Sequence, residues 1–272
     1  MSMELPPPHE IAGHYNRLMK ELGGEYIHHR WGDSEIKRRH YRQTEAALRS
    51  GLSRIQKIGD VLEIGSGPAV WTTLYLAQAR SVMLLDISEE MLEQARLRLE
   101  QLQIEPHGLS VRYECGDFLE VTLPHEMCDT IVSARAFEYV LDKAAFVRKC
   151  LALLRPGGTL LLITKNDEWY DLRRSSHELR DVSASEIPVD VAMQLDLVSP
   201  ATATKMFLEA GFAGVDTYPA VIGSYHRPFN WTAGLAIADA LHRHYYRRSL
   251  TIMPRVLHSL VESFLALGRK PG

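Results

Sequence analysis

The sequence predicts an α/β fold: a doubly wound, seven-stranded, mostly parallel sheet with helices on both faces. Three observations predict it. From about residue 58, short apolar runs alternate with helix-length stretches, the rhythm of βαβ units. The first run, VLEIGSGPAVWT (61–72), breaks at a Gly-x-Gly turn. Acidic residues close the next two runs, Asp86 in LLDIS and Asp117 in ECGDF, and right-handed crossovers bring such strand ends to one edge of the sheet.

The elements follow in order. Residues 1–10 are proline-rich and read as a loose start, and 11–58 carry helical periodicity without a strong strand. Ile36, His40, Gln43, Ala47 and Leu48 fall on related faces, which predicts a helix over 34–50 with Ser34 as N-cap. DVLEIG is the first strand, WTTLYLAQA a helix and SVMLLDIS the second strand. SEEMLEQARLRLEQL is a helix capped by Ser88, with Glu89 and Glu90 at its positive end and Arg96 and Arg98 towards the other. LSVRYECGD and CDTIVSARA are strands three and four. A helix over 142–154 stops at RPGG, and TLLLITKN is strand five. Ser199-Pro200 opens a helix that Gly211 ends; VDTYPAVIG and ESFLALGRKP complete the sheet. The domain reading is an N-terminal helical lid segment over 1–57 and a core over 58–272. The core carries insertions at about 165–198 and 224–260, the second with helices at 231–246 and 254–261.

Composition narrows the function classes. The chain has 272 residues, 46% apolar and 24% charged, as in an ordinary globule. Its net charge of −3 gives no general pull towards nucleic acid. No apolar run reaches the ~18 residues that span a bilayer, and MSMELPPPHE lacks the pattern of a secretory leader. Cys115, Cys128 and Cys150 are scattered and read as reduced thiols, so the expected location is cytoplasmic. The 12 histidines lack ligand spacing, and no metal is expected.

Gly65 and Gly67 suit a tight turn and close approach of backbone to a ligand. Asp86 lies 19 residues after Gly67, placed for the hydroxyls of a ribose. Gly116-Asp117-Phe118 sets an acid beside an aromatic, where a purine is hydrogen-bonded and stacked. Three strand ends thus offer groups for one adenosine. Pro68 removes a donor that a phosphate would use, and Glu63 precedes the first glycine by two residues. Both features argue against a nicotinamide-dependent oxidoreductase, the rival reading of a strand–glycine turn–acid pattern. A non-catalytic binding module is the third reading.

In order and spacing the chain resembles the class I S-adenosylmethionine-dependent methyltransferases of small-molecule type. VLEIGSGPAVWT resembles the family's first motif, LLDISEEMLEQA its second and ECGDFLE its third. CDTIVSARAFEYVLD with LRPGGTLLLI resembles the region from strand four to strand five, and SPATATKMFLEAGF is similar to the helix before strand six. The resemblance implies the Rossmann-like methyltransferase fold and S-adenosylmethionine as cofactor. It implies Glu63 near the methionine ammonium, with Gly65, Ser66 and Gly67 along methionine and ribose. It places Asp86 on the ribose hydroxyls, with Ile87 and Met91 against adenine. Gly116, Asp117 and Phe118 fall around the adenine, and Ser133 and Arg135 beside the sulfonium and carboxylate.

The acceptor is read from what surrounds that site. An oxygen or carbon acceptor needs a base, whereas a neutral amine or a carboxylate does not. His28 and His29 of the segment GGEYIHHRWGDSEIKRRHYRQ and Tyr139 of FEYV are the candidate catalytic groups. Tyr15, Tyr26 and Trp31 either cover the site or pack the lid on the core. Trp31, Tyr170, Arg173, Tyr225 and His226 are the candidate acceptor contacts, the last four within the insertions. SARAFEY stands where enzymes that methylate nucleic acid or protein amines carry an Asn/Asp-Pro-Pro-aromatic sequence. The expectation is a small-molecule acceptor of bacterial secondary metabolism, with a lipid or quinone-type acceptor as runner-up and room for a homodimer.

Overall fold

The computed structural model describes residues 6–102, 109–169, 196–223 and 232–272. Seven strands form one sheet in the order β3-β2-β1-β4-β5-β7-β6. They are β1 (Gly59–Ile64), β2 (Ala79–Asp86), β3 (Ser110–Cys115), β4 (Cys128–Ala134), β5 (Leu154–Lys165), β6 (Gly214–Ile222) and β7 (Val261–Arg269). β1 to β5 pair in parallel, and β7 runs antiparallel to β5 and β6. The strand order reverses between β1 and β4, so a crevice opens beyond their carboxyl ends.

Alternation along the strands assigns the two faces. Leu62, Leu160, Leu162 and Phe264 join one core cluster, with Phe146 and Val147 of α5 (Lys143–Leu153) and Phe207 of α6 (Pro200–Ala210). Val61, Leu161, Ile163 and Leu265 join the other, with Leu48 of α3 (Glu35–Leu52) and Ala95 of α4 (Glu89–Gln101). Both faces of the sheet are covered, as parallel strands require. The expected caps are in place: Ser34, Ser88 and Ser199 each accept from a backbone N–H three residues on, and Gly211 ends α6 at φ 110°. α7 (Thr232–Tyr245) packs along β6.

The N-terminal segment divides into two parts. α1 (Pro8–Leu22) begins inside the proline-rich start, with Pro8 at a first-turn position that needs no N–H. α1 and the short α2 (Tyr26–Trp31) lie over the crevice, whereas α3 packs on the sheet itself.

Two expectations are corrected. WTTLYLAQA does not form an α-helix; it makes two 3-10 turns, Thr72–Leu74 and Leu76–Gln78. Gly67 and Ala69 take positive φ, and Thr73 turns its hydroxyl to the Val70 carbonyl, which competes with helix formation. Residues 254–261 likewise form a 3-10 segment, Arg255–Leu260, after an earlier turn at Leu250–Ile252. Pro254 separates the two, and its ring admits no α-helical hydrogen bond there.

Candidate active site

A cavity of about 200 Å³ fills the crevice. Its floor is the turn after β1. Gly65 (φ 67°) and Ser66 donate backbone hydrogen bonds to the Leu85 carbonyl, at 2.8 and 3.2 Å, and so join this turn to β2. A Cβ on Gly65 would stand 2.2 Å from that of Ala136, so no side chain fits. A Cβ on Gly67 (φ 50°) would meet nothing within 4 Å. The backbone at Gly67 is therefore open to a ligand.

Asp86 ends β2 and is 8% exposed. Its Oδ2 accepts from the Gly67 amide at 2.8 Å and its Oδ1 from Ser88 at 2.9 Å. Burial raises its pKa, and the backbone donors at Ser88 and Gly67 pull it back. One carboxyl group thus ties the β1 turn to the start of α4 beside the cavity. Gly116 continues from β3 by donating to the Asp86 carbonyl at 3.0 Å. Asp117 fixes its own loop through Oδ1, which accepts from Leu119 at 2.9 Å. Phe118 packs on Phe146, with ring centroids 4.8 Å apart. Lys149 of α5, which the sequence reading did not single out, donates to the Phe118, Leu119 and Val121 carbonyls and holds this loop closed.

Residues of α1 and α2 lie over these groups. The Tyr15 hydroxyl donates to that of Tyr139 at 3.0 Å, and Asn16 Oδ1 accepts from the Ser88 hydroxyl at 2.6 Å. Tyr26 and Arg30, four residues apart on α2, line the cavity, as does Trp31. Trp31 meets Trp71 edge-on at 5.3 Å, and Trp71 stacks on Tyr41 at 5.1 Å. Arg30 and Trp71 also escaped the sequence reading. For Arg30 the available signal was the i, i+4 spacing from Tyr26.

Of the expected cofactor residues, Gly65, Ser66, Gly67, Asp86, Ile87 and Met91 line this cavity. So do Gly116, Asp117, Phe118 and Arg135. Tyr139 and Trp31 line it too.

Four expectations differ from the structure. Glu63 is 1% exposed and outside the lining. Its Oε2 accepts from Thr72 at 2.5 Å and from the Tyr75 hydroxyl, so its carboxylate is committed beneath the site rather than offered to an ammonium. Ser133 is fully buried, also outside the lining, and its hydroxyl has no hydrogen-bond partner among the described residues. His28 and His29 are absent from the lining as well: His28 is exposed and His29 pairs with Asp33 at 3.7 Å. The cavity side of α2 belongs to Tyr26 and Arg30, and helical rotation carries His28 to the opposite side. Tyr170, Arg173, Tyr225 and His226 lie outside the described residues.

Arg135 lines the cavity but brings no free charge to it. Its guanidinium pairs with Glu262 at 3.3 Å and with Glu138 at 3.3 Å, and Nη1 also donates to the Ser263 hydroxyl. The residue sits at φ 69°, directly after β4.

This donor set matches an adenosine-bearing ligand without a pyrophosphate. Two carboxylates stand at successive strand ends, the glycine turn leaves open space, and apolar and aromatic side chains form the walls. Among the described residues no group of three or more His, Cys, Asp or Glu could hold a metal ion. No helix among them is long and apolar enough to cross a membrane.

Comparison with known proteins agrees with the geometry. The family described as "Methyltransferase domain" matches residues 62–162. A probable S-adenosylmethionine-dependent methyltransferase of Mycolicibacterium smegmatis is 29% identical over 187 residues, which cover 67% of this chain and 60% of that protein. A 27-O-demethylrifamycin SV methyltransferase of Amycolatopsis mediterranei is 28% identical over 169 residues, 59% of this chain and 60% of that one. The chain thus spans about 60% of the length of these relatives. Among solved structures, the N-methyltransferase NodS of Bradyrhizobium japonicum, in complex with S-adenosyl-L-homocysteine, has a TM-score of 0.58 at 16% identity, over 94% of this chain and 98% of that one. Residues 62–162 thus match a methyltransferase domain, the matched relatives are S-adenosylmethionine-dependent methyltransferases, and the fold is similar to that of solved methyltransferases.

Proposed function

We propose that this chain transfers the methyl group of S-adenosylmethionine to an oxygen, nitrogen or carbon atom of a small molecule, in bacterial secondary metabolism. One observation carries the reading: Asp86 and Asp117, at the ends of β2 and β3, face one cavity together with the open backbone at Gly67. In this reading Asp86 takes the ribose hydroxyls. Asp117 takes the adenine amine, with Ile87, Met91 and Phe118 around the ring. Bound there, the cofactor supplies a methyl group made electrophilic by its cationic sulfur.

The chain's own part is orientation and exclusion of water. α1 and α2 cover the cavity, which shields a displacement that depends on alignment more than on acid–base help. Tyr139 is the one group of the three acid–base candidates that lines the cavity. Paired with Tyr15, its hydroxyl would orient an acceptor or pass on its proton. The rifamycin methyltransferase among the relatives supports a natural-product acceptor. A lipid or quinone-type acceptor is the second reading, favoured by the apolar side chains of Ile11, Val140 and Leu141 in the lining.

The test is calorimetry with S-adenosylhomocysteine on the parent and Asp86→Asn proteins. Binding by the parent and a loss of at least about tenfold in the variant are expected. Unchanged affinity in Asp86→Asn would remove the ribose assignment. A protein that binds a nicotinamide dinucleotide and ignores S-adenosylhomocysteine would belong to the oxidoreductases. One that binds S-adenosylhomocysteine but methylates no acceptor would be a binding module.

A further inference from the structure

Residues 240–261 contain four arginines, three histidines and no carboxylate, in a chain whose net charge is −3. The same stretch holds the two most exposed large apolar side chains among the described residues, Val256 at 78% and Ile252 at 64%. Side chains of this kind are ordinarily covered or sparse, and here they stand four residues apart with Arg255 between them.

The segment holding them is built, not loose. Leu250 and Met253 are buried in the core and anchor it from below. The His258 ring nitrogen Nε2 bonds the Leu250 and Met253 carbonyls, at 3.0 and 3.1 Å, and staples the two 3-10 turns together. Arg54 donates to the Arg247 carbonyl at 2.7 Å and ties the segment to the end of α3. With its inner side fixed, the segment turns Ile252 and Val256 to solvent.

Among the described residues no carboxylate pairs with the arginines of this segment, although Arg248 meets the His244 ring nitrogen at 2.9 Å. Arg247, Arg248 and Arg255 are exposed, and among the described residues none forms an ion pair. Nearby acids are already engaged: Asp239 by Arg39 at 2.6 Å, and Glu168 beside His258 at 4.0 Å. The segment leads directly into Val261, the first residue of the antiparallel β7. Its last residues therefore reach the carboxyl edge of the parallel strands, the edge at which the cavity opens, while Arg247 lies by the end of α3.

We propose that this segment docks the protein on an anionic phospholipid surface. The arginines meet the headgroups, and Ile252 and Val256 enter the interface. Apolar tips flanked by guanidinium groups fit a lipid boundary, where area burial and charge act together. Nucleic acid would use the charge and leave the two aliphatic tips in water. The inference stands apart from the proposed reaction, because none of these residues lines the cavity.

Co-sedimentation of the whole chain with vesicles tests it. The parent is expected to pellet with phosphatidylglycerol vesicles and not with pure phosphatidylcholine, and to be released as salt rises from 0.1 to 0.5 M. The double variant R247E/R248E should lose about tenfold or more of its partitioning. I252S/V256S should lose the part that resists salt. Circular dichroism melts check that both variants remain folded. Equal binding to both vesicle types, no binding to either, or variants that pellet like the parent would each overturn the proposal. Binding to duplex DNA with none to vesicles would overturn it as well, and would assign the face to nucleic acid.

Discussion

Tyr75 donates its phenolic hydrogen to the carboxylate of Glu63, beneath the turn that floors the cavity. Both groups are buried, and Thr72 gives the same oxygen a second hydrogen bond. The family resemblance implies a ligand contact for Glu63; the side-chain contacts place it under the turn, as a brace between β1 and the two 3-10 turns.

That burial makes a pH prediction. Desolvation pushes the Glu63 pKa up to about 7, against the opposing hydrogen bonds from Thr72 and Tyr75. Below the ordinary value of 4.5 the carboxyl is protonated in both folded and unfolded chains, and it exacts no penalty. Between 4.5 and 7 the unfolded chain ionises while the folded chain keeps the proton, so stability falls as pH rises, by up to about 3 kcal/mol. Glu63→Gln removes this slope. Denaturant titrations at pH 4, 6 and 8 should show the variant gaining on the parent as pH rises. A difference that stays constant with pH would show that Glu63 is ionised throughout.

The two glycines of the turn separate stability from binding. Gly65→Ala forces a methyl into Ala136 at positive φ and should cost about 2 kcal/mol or more. Gly67→Ala meets open space and should cost only about 1 kcal/mol for its left-handed backbone. Its methyl narrows the cavity, so S-adenosylhomocysteine affinity should fall by more than the loss of stability explains. Melting curves and calorimetry on both variants distinguish the two effects. Equal melting temperatures in the two variants would contradict the packing argument.

Much of this architecture is legible in the sequence, for a physical reason. Buried parallel strands need apolar runs, and VLEI, VMLL and LLLI declare themselves; Ser34, Ser88 and Ser199 cap where hydroxyl caps are expected. Asp86 and Asp117 are legible because strand ends are fixed by topology. What is not legible is direction. His28 and Tyr26 lie in the same loaded stretch, and only the orientation of α2 decides that Tyr26 meets the cavity. The 3-10 turns at 72–78 are held to β1 by the Thr72 and Tyr75 hydroxyls on Glu63, contacts between residues 9 and 12 positions apart that no local pattern shows.

α1 meets the core through the Tyr15–Tyr139 and Asn16–Ser88 hydrogen bonds and through Met19 packed on Met91, whereas Lys20–Glu90 at 3.4 Å is solvent-exposed and weak. The double variant Tyr15→Phe/Asn16→Ala should therefore speed amide hydrogen exchange in α1 by about tenfold and leave β1 and β4 unchanged. Saturating S-adenosylhomocysteine should restore part of the protection. Exchange that accelerates across the sheet as well would make α1 part of the global folding unit rather than a separable cover.

Glu262 gives the opposite pH signature to Glu63, although both are buried glutamates. Burial alone would raise its pKa, but Arg135, then His40 and Lys165, outweigh it and hold the carboxyl at about 2. A depressed acid contributes stability that is fully present above its ordinary value of 4.5 and is lost as pH falls towards 2. The loss amounts to about 3 kcal/mol. Glu262→Gln removes one carboxylate from the Arg135 guanidinium and leaves its pair with Glu138, in a site where both carboxylates are almost wholly buried. The variant should be less stable by about 3 kcal/mol at pH 7, and the deficit should shrink below pH 4, where the parent begins to protonate. Because Arg135 lines the cavity, S-adenosylhomocysteine affinity should fall in step with stability across that range. A deficit independent of pH would mean that Glu262 acts through packing alone, and that Arg135 keeps its place without the charge.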